Sequence, residues 1–277
     1  MTARAFLIRG LIAGLVAGIA TFFVAYSVGE PHVETAIVLE ESGTAAEEGP
    51  ADASHNHGDE AAGGHNHTHS HTHGDEGEGE DTEVSRDSQR TWGLLTGSLA
   101  VGLALGGIVA LVAAGTIGRM GRLQPGQSTA LITLLGFVAF ALVPFLKYPA
   151  NPPAVGSGDT IGDRTALYFG FVIVSVLTAV AATYVALRLR NRLGTYGGVV
   201  AGAAGYLAVV VVAGQLFATV NEVGDFPADT LWFFRRASLF TLATMWGVIG
   251  VVLTGLVGRL YAAQTERAQR RALAASL

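Results

Sequence analysis

The chain contains six blocks of mostly apolar residues, and the length of these blocks limits what it can fold into. A bilayer core of about 30 Å needs about 20 apolar residues in helical form, since an α-helix rises about 1.5 Å per residue. Hydrophobic residues make up 50% of the chain and charged residues only 14%, which is typical of polytopic membrane proteins. We therefore predict an all-α polytopic membrane protein with about six transmembrane helices, at residues 5–28, 92–117, 128–146, 165–187, 197–219 and 236–258.

The first and third blocks are the two that admit another interpretation. Arg4 and Arg9 precede an apolar run at the start of the chain, as in a secretory signal peptide. That run exceeds the usual apolar region of about 7–15 residues and no clear cleavage site follows it, which favours a retained helix. The third block is the shortest, and Pro144 lies near its end.

Glycines recur at four-residue spacing in three of the blocks, which is typical of helices that approach each other closely in lipid. The first block has a triple of such glycines, at Gly10, Gly14 and Gly18. The second block has a pair at Gly93 and Gly97, and the fifth has a pair at Gly198 and Gly202. We predict helix contacts there, most firmly for the triple.

Basic and acidic residues fall on opposite sides of the predicted membrane. With six spans both termini share one side, which receives most of the 17 basic residues, namely Arg4, Arg9, Arg119, Arg122, Arg188, Arg190, Arg192, Arg259, Arg267, Arg270 and Arg271. The other side receives all of the 22 carboxylates except Glu266. Because cytoplasmic loops carry an excess of Lys and Arg, we predict a cell-membrane protein with both termini cytoplasmic.

This arrangement divides the chain into three regions. Residues 1–29 form the first transmembrane helix, residues 30–90 an external loop, and residues 91–277 a five-helix membrane bundle with a short cytoplasmic tail. Residues 42–83 contain almost nothing apolar, so this acidic, His-rich segment is predicted to be disordered. The preceding stretch PHVETAIVLEE is predicted to be helical and either continues the first helix or lies on the membrane surface.

Histidines are concentrated in this external loop. Seven of the 8 in the chain fall within nineteen residues of it, at His55, His57, His65, His67, His69, His71 and His73. Neutral imidazole binds divalent first-row metals, and the neighbouring Asp and Glu residues raise the local cation concentration. The chain has no Cys, so any metal must be held by nitrogen and oxygen. We predict metal capture; a solvated linker is the alternative, and Co²⁺, Ni²⁺ and Zn²⁺ all suit these ligands.

Polar residues at the external helix ends are candidates for handing the ion to the bundle, because the apolar blocks have almost no ionisable residues at their centres. The candidate metal ligands are Glu30, His32, Asn221, Glu222 and Asp225. Lys147 is awkward in a cation path, so we expect it to pair with Glu30 or Glu222. Arg235 and Arg236 are candidates for ion pairs with Asp225 and Asp229.

Several of these stretches resemble one family. RGLIAGLVAGIATFFVAYSVGEP, the His-rich loop, VSRDSQR, FLKYPANPPAVG, DTIGDRTALYF and VNEVGDFPADTLWFFRRASL are similar to the CbtA family of predicted cobalt transporter subunits, over nearly the whole chain. The resemblance implies a membrane subunit for Co²⁺ uptake linked to cobalamin biosynthesis, often beside CbtB, a small single-span partner with its own histidines. The family is commonly described with five spans, whereas six blocks are counted here.

Motifs for other activities are missing from the sequence. There is no GxxxxGK[ST] phosphate loop, no HExxH and no nucleophile elbow, so we expect neither ATP hydrolysis nor another enzymatic activity. We expect no cofactor other than the transported metal. The expected partners are the lipid bilayer and a CbtB-type subunit, and we expect no nucleic-acid partner. The sequence does not decide whether the protein is an oligomer. The predicted function is uptake of a divalent metal, by the resemblance Co²⁺. The alternatives are a nickel or zinc transporter and a membrane metal-binding or sensing protein that transports nothing.

Overall fold

The structure, a computed structural model, describes residues 2–47, 85–121 and 123–276, which are helical apart from short turns and connections and contain no strand. Five helices are long and apolar enough to cross a membrane. The elements that build them are α1 (Ala3–Val24, π-helical Ala25–Gly29 and Glu30–Glu47), α2 (Arg86–Ser88, π-helical Gln89–Gly93 and Leu94–Thr116), α3 (Pro125–Gly136, π-helical Phe137–Leu142 and Val143–Lys147), α4 (Ile161–Leu216, after the 3-10 turn Gly158–Thr160) and α5 (Ala228–Ala275).

Helix α4 is folded back on itself at Gly194. This residue has φ 73° and ψ 174°, a conformation outside the helical region that glycine adopts without a steric penalty. The Ser175 and Tyr206 hydroxyls, 31 residues apart, share a hydrogen bond of 2.8 Å, whereas a continuous helix would separate them by about 46 Å. Residues 161–193 and 195–216 are therefore the two arms of an antiparallel hairpin, and the predicted blocks 165–187 and 197–219 lie in different arms.

Close packing of glycines joins the two arms. A Cβ atom on Gly198 would lie 2.6 Å from the carbonyl oxygen of Ala186, and one on Gly202 would lie 2.8 Å from the Ala186 side chain. Neither position has room for a larger residue. The predicted Gly198 and Gly202 contact is confirmed, and its partner is the first arm of the same hairpin.

The glycine triple of α1 packs against α2. Added Cβ atoms at Gly10 and Gly14 would collide with the carbonyl groups of Gly106 and Gly102, and one at Gly18 would lie 2.8 Å from the carbonyl oxygen of Ser98. This prediction is confirmed. The prediction for Gly93 and Gly97 is wrong as a packing contact among the described residues, where nothing lies within 4 Å of a Cβ at Gly97 and a Cβ at Gly93 meets only the Ser88 carbonyl of its own helix.

The buried core lies where α5 packs against α1, α2 and α3. Ile249, Leu253 and Val257 of α5 are fully buried, as are Ala13 and Ala17 of α1. Many large apolar side chains point outward instead, as expected of a surface in contact with lipid, where exposure to hydrocarbon carries no hydrophobic penalty. Val251 of α5, for example, is 77% exposed.

Contacts divide the bundle into two ends. The loop end comprises residues 30–34, 86–90, 147–164 and 217–236, and the terminus end comprises residues 3–9, 113–121, 125, 186–198 and 257–275. The helix predicted for PHVETAIVLEE is confirmed and continues α1, so this first helix does not end at residue 29 but runs on through Glu30–Glu47. Most of the predicted disordered segment 42–83 lies outside the described residues, and its disorder stays a prediction.

Candidate functional site

Ion pairs clamp together the two helices that flank the His-rich segment. The Arg86 guanidinium pairs with the half-buried Glu30 carboxylate, and Arg90 Nη1 donates to Glu34 Oε1 at 2.6 Å. Glu30 and Glu34 lie one turn apart on α1, and Arg86 and Arg90 lie one turn apart on α2. Arg90 Nε also lies 3.3 Å from Asp87 Oδ1. These ion pairs hold the first turns of the α1 extension against the beginning of α2.

His32 is the only histidine among the described residues, and its ring stacks on an aromatic side chain. Its imidazole stacks on Phe233 of α5, with 5.9 Å between ring centroids and 10° between planes. The Arg236 guanidinium lies 4.8 Å from the centroid of the same Phe233 ring, a favourable cation–π distance. His32 thus joins the extension of α1 to the beginning of α5.

Glu222 holds the connection between α4 and α5 against the beginning of the hairpin. Its Oε2 accepts hydrogen bonds from the Ser157 backbone N–H at 3.2 Å and from Thr160 Oγ1 at 2.9 Å. Arg164 Nε lies 3.4 Å from the same oxygen, and Arg164 Nη2 donates to the Ser157 carbonyl at 2.9 Å. Because these donors share Glu222 Oε2, the carboxylate stabilises the connection between α4 and α5, and this oxygen has few lone pairs available to bind a metal ion.

Lys147 and its neighbour bind the C-terminus of α4. Lys147 Nζ donates to the Phe217 carbonyl at 3.2 Å, and the Tyr148 hydroxyl donates to the Ala218 carbonyl at 2.7 Å. The last carbonyls of a helix lack partners and carry partial negative charge, so a cation is favourable there. Burial raises the pKa of the Tyr148 phenol above its ordinary value of 10.0, which keeps this donor protonated.

These contacts correct the expected ion pairs at the loop end. Lys147 binds a backbone carbonyl and not Glu30 or Glu222, because Arg86 and Arg164 already occupy those carboxylates. Arg235 and Arg236 likewise bind other partners than Asp225 and Asp229. Arg235 donates to the Ala150 carbonyl at 3.3 Å and to Asn151 Oδ1 at 2.9 Å, Arg236 lies over Phe233, and Asp229 Oδ1 accepts from the Thr230 backbone N–H at 2.8 Å.

The predicted metal ligands are not gathered into one group in the part of the chain that the structure describes, where no three His, Asp or Glu side chains lie close enough together to hold an ion. Glu30 and His32 are two residues apart on a helix and point to different faces. Asn221 and Asp225 are exposed in the connection that Glu222 fastens. The loop histidines, His55, His57, His65, His67, His69, His71 and His73, lie outside the described residues.

A family model matches this chain over residues 3–258, from the first turn of α1 to a point well within α5. Its description is "Probable cobalt transporter subunit (CbtA)". The chain belongs to the CbtA family. The resemblance found in the sequence is thereby confirmed. Comparisons with curated proteins and with solved structures found no match.

The CbtA loop end contains functional partners that sequence reasoning missed. The sequence predicts no partners for Arg86, Arg90 and Arg164, although they hold Glu30, Glu34 and Glu222. A partial signal for two of them exists. Four-residue spacing places the two carboxylates on one face of α1 and the two arginines on one face of α2, but it does not say which arginine pairs with which carboxylate. Nothing in the local sequence pairs Arg164 with Glu222, since 58 residues and a helical hairpin separate them.

Proposed function

We propose that this CbtA protein is the membrane-embedded subunit of a Co²⁺ uptake system. The observation that carries the proposal is the family match over residues 3–258, which names a probable cobalt transporter subunit. Five apolar helices of membrane-spanning length agree with it. The word subunit in the family description supports a partner, and we propose a small membrane subunit of CbtB type with histidines of its own.

We further propose six membrane crossings, with both termini cytoplasmic and the His-rich segment outside. The hairpin at Gly194 supports this number, because each arm is long enough to cross a bilayer core of about 30 Å. Six crossings place the terminus end, with its excess of arginine, in the cytoplasm, as the positive-inside rule requires. Five crossings would leave the N-terminus and the end of α5 on opposite sides, although Ala3 and Phe6 line the same cavity as Gln264 and Ala268.

Capture by the external loop is the first proposed step. Five of the seven histidines, from His65 to His73, alternate with small polar residues and are followed by Asp75, Glu76 and Glu78. Several closely spaced imidazoles can bind one ion together, and the carboxylates raise its local concentration. The helices on both sides of the loop are clamped by the Glu30–Arg86 and Glu34–Arg90 pairs. The clamp fixes the beginning of α2 against the α1 extension, so the segment that carries the histidines is attached at the loop end.

Transfer into the bundle is the second step, and we propose His32, Asn221 and Asp225 as its ligands. Glu30 and Glu222 take part only after their bonds to Arg86 and Arg164 open, since those guanidiniums neutralise them. Breaking such pairs when an ion arrives and restoring them when it leaves gives the loop end two arrangements, which a transporter requires. No carboxylate other than Glu266 lies near the exit, so release at the basic terminus end is favourable.

The membrane potential is sufficient to drive the cycle. A divalent cation that enters down about 100 mV gains about 4.6 kcal/mol, twice the value for a unit charge. At equilibrium this corresponds to accumulation of somewhat more than about 10³-fold. Nucleotide hydrolysis is therefore not required for uptake.

Reconstituted liposomes test the proposal. The purified protein, alone and together with the proposed small subunit, is placed in vesicles with an inside-negative potassium diffusion potential and external Co²⁺. We expect potential-dependent accumulation that Ni²⁺ and Zn²⁺ inhibit more weakly than unlabelled Co²⁺ does. If Co²⁺ binds but does not accumulate under either condition, the protein is a metal-binding or sensing protein and the transport proposal is wrong.

A further inference from the structure

An open cavity of about 800 Å³ lies between helices at the terminus end, far from the candidate metal ligands. Its walls come from the beginning of α1, the end of α2, the beginning of α3 and the last third of α5. Most of the lining is apolar, including Phe6, Leu111, Ile117 and Pro125, and hydroxyl and amide groups of Tyr261, Gln264 and Thr265 line one side. The volume falls within the range of about 300–1,000 Å³ that is usual for ligand pockets.

Arginines lie near the lining residues along the chain, and Arg119 reaches the edge of the cavity by donating to the carbonyl of the lining residue Gly115. Arg4 directly follows the lining residue Ala3, Arg119 comes two residues after Ile117, and Arg267 directly precedes Ala268. Further arginines belong to the same end of the bundle, at Arg9, Arg188, Arg190, Arg192, Arg259, Arg270 and Arg271. The cavity thus has a mostly apolar lining and lies at the arginine-rich end of the bundle.

These arginines have no carboxylate partner among the described residues. Every ion pair in the described part of the chain belongs to the loop end. Where an arginine of the terminus end is bonded, its partner is neutral: Arg9 Nη1 donates to the Ala5 carbonyl at 2.7 Å, Arg119 to the Gly115 carbonyl and Arg188 Nε to the Tyr184 hydroxyl at 3.0 Å. A guanidinium has five N–H donors, so most of this donor capacity is available to an external anion.

We propose that the cavity binds an anionic phospholipid, with part of an acyl chain against Phe6, Leu111 and Ile117 and the phosphate held by Arg4, Arg119 and Arg267. Phosphate oxygens match the planar, forked donors of arginine. The helix ends that form the cavity lie where a spanning bundle meets the headgroup layer, so apolar and cationic groups occur at the depths of acyl chains and phosphates. This inference does not depend on metal transport.

Charge decides between possible occupants. A helix of another protein would fill the apolar part but would leave the surrounding guanidiniums without counterions. Free inorganic phosphate would supply the charge but would leave the apolar interior empty. An anionic lipid satisfies both requirements.

Gly115 offers a direct test of the cavity. It lines the cavity, and nothing lies within 4 Å of a Cβ added there. Gly115→Leu therefore fills the space without a clash in the bundle. A second variant, R4Q/R119Q/R267Q, removes the charges. R192Q is the control for loss of charge, since Arg192 belongs to the same end but adjoins no lining residue.

The measurement is lipid binding to the full-length protein in detergent micelles, by native mass spectrometry and by titration with phosphatidylglycerol and phosphatidylcholine. We expect phosphatidylglycerol to bind at least about tenfold more tightly than phosphatidylcholine, and this preference to be lost in the triple variant. Gly115→Leu is expected to weaken both lipids, and R192Q to change neither by more than about twofold.

Three results would overturn the proposal. They are equal binding of the two lipids to the unmodified protein, unchanged phosphatidylglycerol binding in a correctly folded triple variant, and complete displacement of the lipid by inorganic phosphate at moderate ionic strength. Retention of the elution volume and melting temperature shows that the variants are folded. Rescue of binding in R4K/R119K/R267K, which keeps the charges, would support the electrostatic part.

Discussion

Ser175 and Tyr206 share a hydrogen bond of 2.8 Å inside the hairpin of α4, although 31 residues separate them. Both are buried, and Phe171 meets Phe217 at 5.5 Å nearer the loop end of the same hairpin. The turn at Gly194 thus places the two apolar arms of α4 side by side. The number of crossings depends on this one glycine.

Tyr206→Phe is expected to destabilise the hairpin by about 0.5–1.5 kcal/mol, because it leaves the buried Ser175 hydroxyl without its partner. The measurement is the melting temperature and resistance to SDS of the purified protein. Tyr196→Phe is the matched control, since Tyr196 belongs to the same hairpin but is 84% exposed. Equal stability of the two variants would show that the Ser175–Tyr206 bond contributes nothing.

Gly14→Leu is expected to prevent close packing of α1 on α2. The Cβ alone would collide with the Gly102 carbonyl, so the helices must separate along their whole contact. Overpacking costs about 1–3 kcal/mol in ordinary cores, and a backbone collision costs more. We expect most of the protein to aggregate in size-exclusion chromatography. Gly97→Leu, with nothing within 4 Å of its Cβ, should elute as the unmodified protein does.

Those two glycines also show how far sequence reasoning reaches. Helices and the Gly10, Gly14 and Gly18 face follow from local patterns, because hydrophobic length and small-residue spacing determine them. The Gly93 and Gly97 pair has the same spacing but meets no neighbour, since spacing says nothing about which face finds a partner. The sequence likewise predicts a carboxylate partner for Lys147, because it does not show which groups lie beside this residue in three dimensions. Its actual partner, the Phe217 carbonyl, becomes available only because α4 ends beside it in three dimensions.

Glu222→Ala is expected to loosen the connection between α4 and α5. The Ser157 N–H and the Thr160 hydroxyl lose their acceptor, and Arg164 loses its counter-ion. Since the pair is partly exposed, we expect about a tenfold increase in local opening, measured as faster amide hydrogen exchange in peptides covering 155–160 and 217–227. Asp225→Ala removes an exposed carboxylate from the same connection and should leave exchange at Ser157 unchanged.

Tyr148 predicts a loss of stability in alkali. Its pKa is raised in the folded state by burial, so the folded protein holds this proton more tightly than the unfolded chain does. The stabilisation is complete below the ordinary pKa of 10.0 and is lost as the pH rises through the higher folded value. Tyr148→Phe should lower stability at neutral pH, through loss of the bond to the Ala218 carbonyl, and flatten the alkaline decline. Tyr196→Phe should keep the original pH profile.

Replacement of the seven loop histidines by asparagine separates capture from transfer. The variant should lose Co²⁺ binding at micromolar metal in calorimetry and show a raised KM for uptake with an unchanged maximal rate, because the loop only concentrates the ion. Imidazole has an ordinary pKa of about 6.5, and its protonated form cannot bind a metal, so the unmodified protein should behave like the variant below about pH 6. His32→Asn alters a proposed ligand of the bundle and should lower the maximal rate while loop binding persists. An unchanged KM in the loop variant at limiting Co²⁺ would remove capture from the mechanism, whatever happens in His32→Asn.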